Sequence, residues 1–518
     1  MTPVLCGGLV AAGNLEERAW PAAWLGLALW IATTSGQPTY LAFRRWLLGG
    51  LVTVGIWFHW MPGVAEQHLD VSLPTALLTT SLAVLWDAMR FGVFGFLIAA
   101  IAPRGPGTVA ARHVLAWPVL WVGLEWVWPH LFPWRLAHTQ LGFLPLCQIA
   151  EWTGAYGVSF LLMWGAAAGA FWWRDGKVGL PGALVSAAAI LVCAIWGGWR
   201  MQQLDADAQS RPQLRVALVQ PGALDENMNQ VLQRLSAPLA PQADVIIWGE
   251  GVIGYFAQDL ASFHELATVQ AASRYEMEEP RPCPGLGCPL LCGGGSFAPG
   301  QALHGPYCNT AWLIAADERV LGHYHKRILM PWGEYAVGQQ WLPGLRGLLA
   351  DVDPFVPGRS AAPLGLGGES RLGVLICYED MSPVAARQTV REGANVLVNL
   401  NNLATFERTA AVWQHQRLAR FRAIENRRWL VRCGTVGSTA VISATGRVVQ
   451  QAPASEPATI LAAVPLLETR TVYTSCGDLL ALLCAVVSAG WLLRRGIGHF
   501  RLRKKQATSE PLAGVAAT

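Results

Sequence analysis

Leu372-Gly-Val-Leu-Ile-Cys377-Tyr-Glu379-Asp380 is the stretch that decides the fold of the second half of this chain. It begins with a short apolar run, which is typical of a strand buried inside a sheet. A thiol at the end of such a strand, just before a turn into a helix, faces a cleft and could be activated as a thiolate. Cys377 is therefore a candidate nucleophile, although most cysteines that follow such a run are inert core residues.

Two further segments lead from an apolar run to a charged residue. In Val245-Ile-Ile-Trp-Gly-Glu250 the carboxylate ends a strand, where partial desolvation raises its pKa and suits it to act as a general base. In His323-Tyr-His-Lys326 the lysine could hold a positive charge against a developing oxyanion, and Glu334 follows closely enough to orient it. Each residue alone fits an ordinary surface role, but together they predict a catalytic site.

Short apolar runs recur through this half of the chain and alternate with helical stretches. Strands this apolar must be covered on one or both faces, so the pattern predicts an α/β sandwich. Residues 410–428 are predicted to form an amphipathic helix, and the glycine- and proline-rich residues 280–306 a long surface loop. The predicted strands cover residues 214–219, 245–248, 310–315, 373–377, 396–400, 430–432 and 440–443.

The composition of the chain indicates a membrane protein, since 53% of its residues are hydrophobic and only 14% are charged. Runs long enough, or nearly long enough, to cross a bilayer cover residues 1–13, 20–34, 46–62, 73–101, 110–128, 156–173, 180–198 and 479–493. We therefore predict a transmembrane domain of about seven helices in residues 1–200 and a catalytic domain in 201–476. A transmembrane helix in 477–495 and a basic cytoplasmic tail in 496–518 complete the prediction.

Positive charge predicts the orientation of these helices, because lysine and arginine are retained in short cytoplasmic loops. They occur in alternate loops, as Arg44 and Arg45, Arg104 and Arg112, and Arg174 and Lys177. Both termini are therefore predicted to be cytoplasmic and the catalytic domain extracytoplasmic. The net charge of +4 is small, and the catalytic half has no basic stripe interleaved with aromatics, so nucleic acid is excluded as a partner.

Cysteine and histidine spacing gives little support to a metal site. Cys283, Cys288 and Cys292 lie in the predicted loop, where an oxidising compartment could join two of them in a disulfide. Zinc is the weaker alternative there, because no fourth ligand is obvious. His323 and His325 have no cysteine or carboxylate beside them at ligand spacing, and we interpret them as polar strand residues.

With its charged residues and thiol in this order, the chain resembles the nitrilase superfamily, and more closely the apolipoprotein N-acyltransferases of bacterial membranes. Motifs in both halves carry the resemblance. They are Val216-Ala-Leu-Val-Gln-Pro221, Tyr307-Cys-Asn-Thr-Ala311, Pro331-Trp-Gly-Glu-Tyr335, Arg420-Phe-Arg-Ala-Ile-Glu-Asn426, Leu120-Trp-Val-Gly-Leu-Glu-Trp126, Phe132-Pro-Trp134 and Tyr156-Gly-Val-Ser-Phe-Leu-Leu162.

The resemblance implies a multi-span α-helical membrane domain plus an extracytoplasmic α/β domain with the nitrilase-like α-β-β-α sandwich. It implies that Glu250 is the base, Lys326 the oxyanion partner and Cys377 the nucleophile. The residues that it implies in supporting roles are Glu334, Glu379 and Tyr378. It implies no cofactor.

The implied reaction is the transfer of a fatty acyl chain from a phospholipid to the N-terminal amine of a diacylglyceryl-cysteine lipoprotein. It would take place at the bacterial inner membrane, with the catalytic domain facing the periplasm. Two alternatives remain open, a membrane-bound amidase with the same triad and a conjugation or transport component with the same fold. They remain because Trp248–Gly254 and Asn399–Phe406 depart from the family pattern.

Overall fold

The computed structural model describes residues 1–68, 71–101, 114–224, 228–257, 285–297, 307–331, 333–335, 338, 355–406 and 409–509. Within these residues the chain has a helical N-terminal half and a β-rich C-terminal half, followed by a last long helix.

The described residues of the N-terminal half form helices, most of which coincide with or overlap the apolar runs of the sequence. They are α1 (Thr2–Leu15), α2 (Trp20–Thr34), α3 (Thr39–Trp57), α4 (Met61–His68), α5 (Leu73–Ile101), α6 (Ala116–Val127), α7 (Leu144–Cys147), α8 (Ala150–Thr153), α9 (Ala155–Asp175) and α10 (Leu180–Ser210). Stacked aromatic rings pack between them, as Trp30 does with Trp46 at 4.3 Å between centroids. Large apolar side chains such as Val192 on α10 remain exposed, which is the pattern of a lipid-facing surface.

Three of the described helices are long and apolar enough to cross a membrane, namely Leu73–Ile101, Ala155–Val178 and Leu180–Ser210. A fourth span results if α3 and α4, which meet at a bend of 50°, are counted as one. The total of about seven spans and the domain boundaries therefore stay predictions.

The described residues of the C-terminal half form two sheets with thirteen strands between them. They are β1 (Gln213–Gln220), β2 (Val245–Trp248), β3 (Tyr255–Ala257), β4 (Leu290–Phe297), β5 (Tyr307–Ile314), β6 (Val320–His325), β7 (Leu364–Gly367), β8 (Ser370–Ile376), β9 (Val396–Asn401), β10 (Leu430–Gly434), β11 (Ala440–Ile442), β12 (Val448–Gln451) and β13 (Ala458–Pro465). The helices of this half are α11 (Met228–Ser236), α12 (Pro383–Arg391), α13 (Ala411–Asn426), α14 (Val472–Cys476) and α15 (Leu479–Ser509).

The two sheets pack face to face and helices cover their outer faces. The first sheet has the order β13-β1-β2-β4-β5-β6, with β3 paired to β4, and the second the order β12-β11-β10-β9-β8-β7. Val216 of the first sheet and Val374 of the second share the inner core. Leu232 of α11 packs on one outer face, and Ala386 of α12 with Ala419 of α13 on the other. The predicted α-β-β-α sandwich is confirmed.

The central strands place the predicted site at one edge of each sheet. β1, β2 and β4 run parallel, as do β8, β9 and β10. Because the carboxyl ends of parallel strands meet at the same edge, residues that follow β2 and β8 can approach each other across the sandwich.

The prediction of a surface loop over residues 280–306 is wrong for its central part. Leu290–Phe297 is strand β4, almost wholly buried between β2 and β5. Its glycines, which suggest a loop in the sequence, permit close backbone contact instead. A Cβ atom added to Gly293 would lie 2.6 Å from Cα of Glu250, so only glycine fits there.

The helix predicted over residues 410–428 is present as α13 but does not expose a polar face. Gln414, Arg420 and Glu425 are all buried. Glu425 accepts a hydrogen bond from the backbone N–H of Ala155, in the helical half of the chain. The polar side of α13 therefore faces the helical half of the chain rather than solvent.

We predict that Gly293→Ala destabilises the catalytic half, because the new methyl group would displace the backbone of Glu250. Overpacking of this kind costs about 1–3 kcal/mol of unfolding free energy. Thermal unfolding in detergent is the measurement. Gly365→Ala is the control, since a Cβ atom there meets nothing within 4 Å. An equal Tm for the two variants would contradict the prediction.

Candidate active site

Cys377 lies where strand β8 ends and a short 3₁₀ turn, Cys377–Met381, begins. Its backbone has φ of +48°, a conformation that costs energy for any residue other than glycine. Asn399 stabilises the turn by donating from Nδ2 to the carbonyl oxygen of Cys377 at 3.1 Å. The residue as a whole is partly exposed, while its thiol group is buried and hydrogen-bonds to the carboxylate of Glu250.

Glu250 follows strand β2 and is fixed by donors from both sheets. Its Oε1 accepts a hydrogen bond from Nδ2 of Asn309 on β5 at 2.7 Å, and its Oε2 accepts one from the backbone N–H of Asn402 at 2.9 Å. The hydroxyl of Thr435 donates to its carbonyl oxygen at 3.0 Å. These contacts hold the carboxylate in one orientation toward the thiol.

Lys326 follows strand β6, and only 2% of it is exposed. Its Nζ lies 2.8 Å from Oε1 of Glu334 and 3.8 Å from Oε1 of Glu250, so it bridges the two carboxylates. Glu334 is itself held by the backbone N–H of Met330, which donates to Oε2 at 2.7 Å. The structure thus brings Glu250, Lys326, Glu334 and Cys377 together in one cluster.

The shared burial of these groups changes their acidity. Burial, with the negative charge of Glu334, raises the pKa of Glu250, while Lys326 and the hydrogen bond from Asn309 oppose this. Burial and the charge of Glu250 raise the pKa of the Cys377 thiol well above its usual value. Burial alone would lower the pKa of Lys326, but the two carboxylates outweigh it and raise that pKa. The result is a neutral thiol beside a carboxylate whose pKa is raised and a permanent cation.

Glu379 connects the two loops that carry Lys326 and Cys377. It is wholly buried, and its carboxylate accepts hydrogen bonds from the backbone N–H groups of Arg327 and Ile376, each at 2.8 Å. The hydroxyl of Tyr324 donates to the same carboxylate at 2.9 Å. None of these hydrogen bonds involves the thiol, so Glu379 contacts the two loops rather than the candidate nucleophile.

Tyr378, next to the thiol, connects the turn to the helical half of the chain. Its hydroxyl donates to the carbonyl oxygen of Leu131 at 2.7 Å, and its ring packs against the core of that half. Burial raises the pKa of Tyr378 to about 12, so the hydroxyl stays protonated and can donate. The neighbouring Asp380 is also buried and accepts from Nε of Arg432 at 2.8 Å.

The motifs quoted from the sequence contain the asparagines of the site, but no role was assigned to these residues. Asn309 bridges the two carboxylates, since its Nδ2 also lies 3.4 Å from Oε1 of Glu334. Asn399 and Asn402 hold the turn and the base. One pattern in the sequence could have indicated Asn309 and Asn399, because an amide inside an otherwise apolar strand needs a hydrogen-bond partner when buried.

The residues considered for metal binding lie elsewhere. His323 and His325 are on strand β6, where Nδ1 of His325 lies 2.9 Å from the hydroxyl of Thr310. Cys288 is buried, with Sγ 3.5 Å from the carbonyl oxygen of Ala243. Cys283 lies outside the described residues, so a disulfide among these cysteines stays a prediction.

Comparison with known proteins agrees with this architecture. Residues 215–473 match the family described as carbon-nitrogen hydrolase, which is half of the chain. The chain belongs to the carbon-nitrogen hydrolase family. Residues 6–168 match the apolipoprotein N-acyltransferase N-terminal domain, which confirms the closer resemblance predicted from the sequence motifs.

Curated relatives match along most of their length. An apolipoprotein N-acyltransferase of Geobacter metallireducens is 29% identical over 525 residues, covering 96% of each chain. One of Caulobacter vibrioides is 29% identical and covers 86% of this chain and 85% of its own. Among solved structures, an amidase mutant from Nesterenkonia sp. AN1 is 21% identical, with a TM-score of 0.35, covering 51% of this chain and 97% of its own.

We predict that Asn309→Ala shifts the acidic limb of the pH profile of kcat/KM to higher pH. The Asn309 amide stabilises ionised Glu250, so its loss raises the pKa of that carboxyl further and protonates the base at a higher pH. Thr310→Val is the matched control on the same strand, because the Thr310 hydroxyl contacts Ser296 and His325 but neither carboxylate. An unshifted limb in Asn309→Ala would contradict this account.

Proposed function

We propose that this chain is an N-acyltransferase that moves a fatty acyl chain from a phospholipid to the N-terminal amine of a diacylglyceryl-cysteine lipoprotein. The observation that carries the proposal is the cluster of Cys377, Glu250 and Lys326 at the sandwich edge nearest the helical half. The full-length match to proteins named apolipoprotein N-acyltransferase supports the choice of substrates.

In the first step Cys377 takes the acyl group from the phospholipid. The thiol gives its proton to Glu250 as sulfur attacks the ester carbonyl carbon, and the ammonium of Lys326 stabilises the tetrahedral oxyanion. The bond between the carbonyl carbon and the glycerol oxygen then breaks. Glu250 returns its proton to that oxygen, which leaves a thioester on Cys377 and releases a lysophospholipid.

In the second step the amine of the lipoprotein accepts the acyl group. Its nitrogen attacks the thioester carbonyl and gives a proton to Glu250, while Lys326 again stabilises the oxyanion. The carbon–sulfur bond breaks, and the Cys377 thiolate takes the proton back from Glu250. The products are an amide and the free enzyme.

Anchorage in a membrane suits these substrates, because extracting their acyl chains into water would be costly. The turn that begins at Cys377 supports this arrangement, since Tyr378 and Met381 pack into the same apolar cluster as Phe132 and Trp134 of the helical half. The turn that carries the thiol is therefore continuous with the apolar core of the helical half.

We predict that protein incubated with phospholipid and no acceptor accumulates an acyl thioester on Cys377, because the first step can proceed while the second cannot. A mass increase of one fatty acyl group should appear on the peptide that spans residues 371–387. Neutral hydroxylamine should remove it. A diacylglyceryl peptide with a free amine should convert it to an amide.

The variants should separate the roles. Cys377→Ala should carry no label, and Glu250→Gln and Lys326→Met should acylate at least about a hundredfold more slowly, as expected on losing a general base or an oxyanion partner. Cys476→Ala is the control, because Cys476 is exposed and outside the cluster, and its labelling should equal that of the wild type. If the acyl label on Cys377 is lost only by hydrolysis to free fatty acid, the result would favour an amidase-like hydrolase instead.

We further propose that the catalytic half faces the periplasm of a bacterial inner membrane. The proposal rests on the alternation of basic and neutral loops, for example Arg174 and Lys177 between two apolar runs. We predict that a reporter fused near residue 300 is extracytoplasmic and that one fused after residue 505 is cytoplasmic. A cytoplasmic reporter at residue 300 would overturn this orientation.

A further inference from the structure

A buried ion pair joins the turn Cys377–Met381, here called the nucleophile turn, to the second sheet. Asp380 is the third residue after Cys377 in this turn, and Arg432 is on strand β10. Both side chains are fully buried, and Nε of Arg432 lies 2.8 Å from Oδ2 of Asp380. Such a pair is a weak source of stability, because removing two charges from water costs about as much free energy as their attraction returns.

The place of Arg432 in the sheet brings its side chain to the turn. Arg432 is in register with Asn399 on β9, and Asn399 is in register with Leu375 on β8. Paired residues of neighbouring strands point to the same face of a sheet, and Leu375 lies in the cluster that α12 and α13 cover. Arg432 therefore leaves the sheet on the same face as Asn399, whose amide holds the carbonyl oxygen of Cys377.

The guanidinium of Arg432 connects three segments of the chain. Nε donates to Asp380 in the turn, Nη2 lies 2.6 Å from Nδ1 of His415 on α13, and Nη1 donates to Oγ of Ser438 between β10 and β11. Burial, followed by the positive charges of Arg432 and Lys326, lowers the pKa of His415 well below its usual value, so that ring is neutral. Asp380 is therefore the member of this group that balances the charge of Arg432.

Two consecutive carboxylates hold the nucleophile turn from different sides. Glu379 accepts the backbone N–H of Arg327 in the loop that follows β6, whereas Asp380 faces β10 and α13. On α13, Nη1 of Arg422 lies 3.4 Å from the carbonyl oxygen of Met381, which ends the turn. The turn is thus connected to both sheets and to the helix that covers the second one.

The charge of Asp380 acts on the Cys377 thiol. Burial is the main reason why the pKa of this thiol is well above its usual value, and the charge of Glu250 is the next. Glu334 and Asp380 raise this pKa further, while Lys326 lowers it. Removing the charge of Asp380 should therefore lower the pKa of the thiol.

Arg432 keeps Asp380 ionised at neutral pH. Burial raises the pKa of this carboxyl to about 6, although the charges of Arg432 and Arg422 lower it. Glu379, the preceding residue, adds a smaller increase. Without the charge of Arg432 the carboxyl would take up a proton more readily, because burial penalises its ionised form.

We propose that Asp380 and Arg432 are positioning residues, whose ion pair holds the nucleophile turn so that the Cys377 thiol stays against the Glu250 carboxylate. The inference rests on the proposed function, since it names residues that prepare the thiol for the first acyl transfer without taking part in bond making. The pair has two separable effects. It positions the thiol, which favours acylation, and the charge of Asp380 opposes ionisation of the thiol before a substrate arrives.

Alkylation of Cys377 by iodoacetamide measures the acidity of the thiol in the absence of lipid. Only the thiolate reacts, and the mass of the peptide that spans residues 371–387 separates Cys377 from the exposed Cys476. In Asp380→Asn the profile of rate against pH should shift to lower pH, with alkylation about threefold faster or more at a fixed mildly basic pH. Asp380→Glu alters the packing at the same position but keeps the charge, so its profile should match that of the wild type.

Acylation of Cys377 by phospholipid should respond in the opposite direction. Although its thiol is more acidic, Asp380→Asn should lower kcat for acylation about tenfold or more, because a small displacement of a nucleophile from its base is costly. KM should change little, since the pair does not contact the lipid. Faster alkylation combined with slower acylation distinguishes positioning from a general loss of structure, which thermal unfolding in detergent monitors separately.

A double-variant cycle tests whether the two residues act as a unit. Arg432→Met should slow acylation, and Arg432→Met combined with Asp380→Asn should acylate no more slowly than Arg432→Met alone, because the carboxylate then has no partner left to lose. Asp244→Asn is the matched control. Asp244 forms an exposed ion pair with Arg215 and precedes β2, whereas Glu250 follows that strand, so both rates should equal those of the wild type.

An unshifted alkylation profile in Asp380→Asn overturns the inference, as does undiminished acylation or an additive loss in the double variant. If Asp380→Asn does not fold, the comparison of Arg432→Met with the double variant decides. Failure of the wild type to be acylated by phospholipid would overturn the proposed function itself. The alkylation profiles would then still decide whether the charge of Asp380 controls the thiol, because they require no lipid.

Discussion

One ammonium group between two carboxylates determines the chemistry of this site. Nζ of Lys326 contacts Glu334 at 2.8 Å and lies 3.8 Å from Glu250, which leaves an excess of negative charge beside the thiol. Burial, together with this negative charge, raises the pKa of Cys377 and keeps the thiol protonated, since a thiolate would lose its hydration and add to the charge. The raised pKa of Glu250 makes that carboxylate a better proton acceptor. In the proposed mechanism the thiolate therefore forms during attack, when the substrate carbonyl can take up the developing charge near Lys326.

The strained turn at Cys377 depends on a second buried carboxylate. A positive φ at a residue with a side chain costs about 1–3 kcal/mol. Glu379 opposes this cost by accepting the backbone N–H of Ile376 and, across the cleft, the backbone N–H groups of Arg327 and Ile328. Because hydrogen bonds to a charged group contribute about 1.5–3 kcal/mol each, the set is large enough to hold the turn. The same carboxylate thus sets the distance between the loop of the cation and the loop of the nucleophile.

The sequence predicted the parts of the fold that follow from apolar patterning. The strands that end before Glu250 and Cys377 were identified from their continuous apolar runs, and helix α13 was identified because its apolar residues recur at helical spacing. Strand β4 was missed because its glycines carry no apolar pattern and are needed for contact with the backbone of Glu250. Asn309 was not assigned a role because its function depends on two carboxylates that are distant in sequence. The pattern of apolar residues along the sequence does not indicate which distant segments come into contact in the fold.

The polar face of α13 shows why the catalytic half must be understood together with the helical half. Arg427, just after this helix, is fully buried, and its guanidinium contacts Glu151 and, at 2.6 Å, Oε1 of Gln148. Burial lowers the pKa of Arg427 to about 10, which still leaves it charged at neutral pH. A buried charge of this kind is stable only while its partners remain in place. Tyr378 also depends on the helical half, because its hydroxyl donates to the carbonyl oxygen of Leu131 there. The turn that begins at Cys377 is therefore held in place partly by the helical half of the chain.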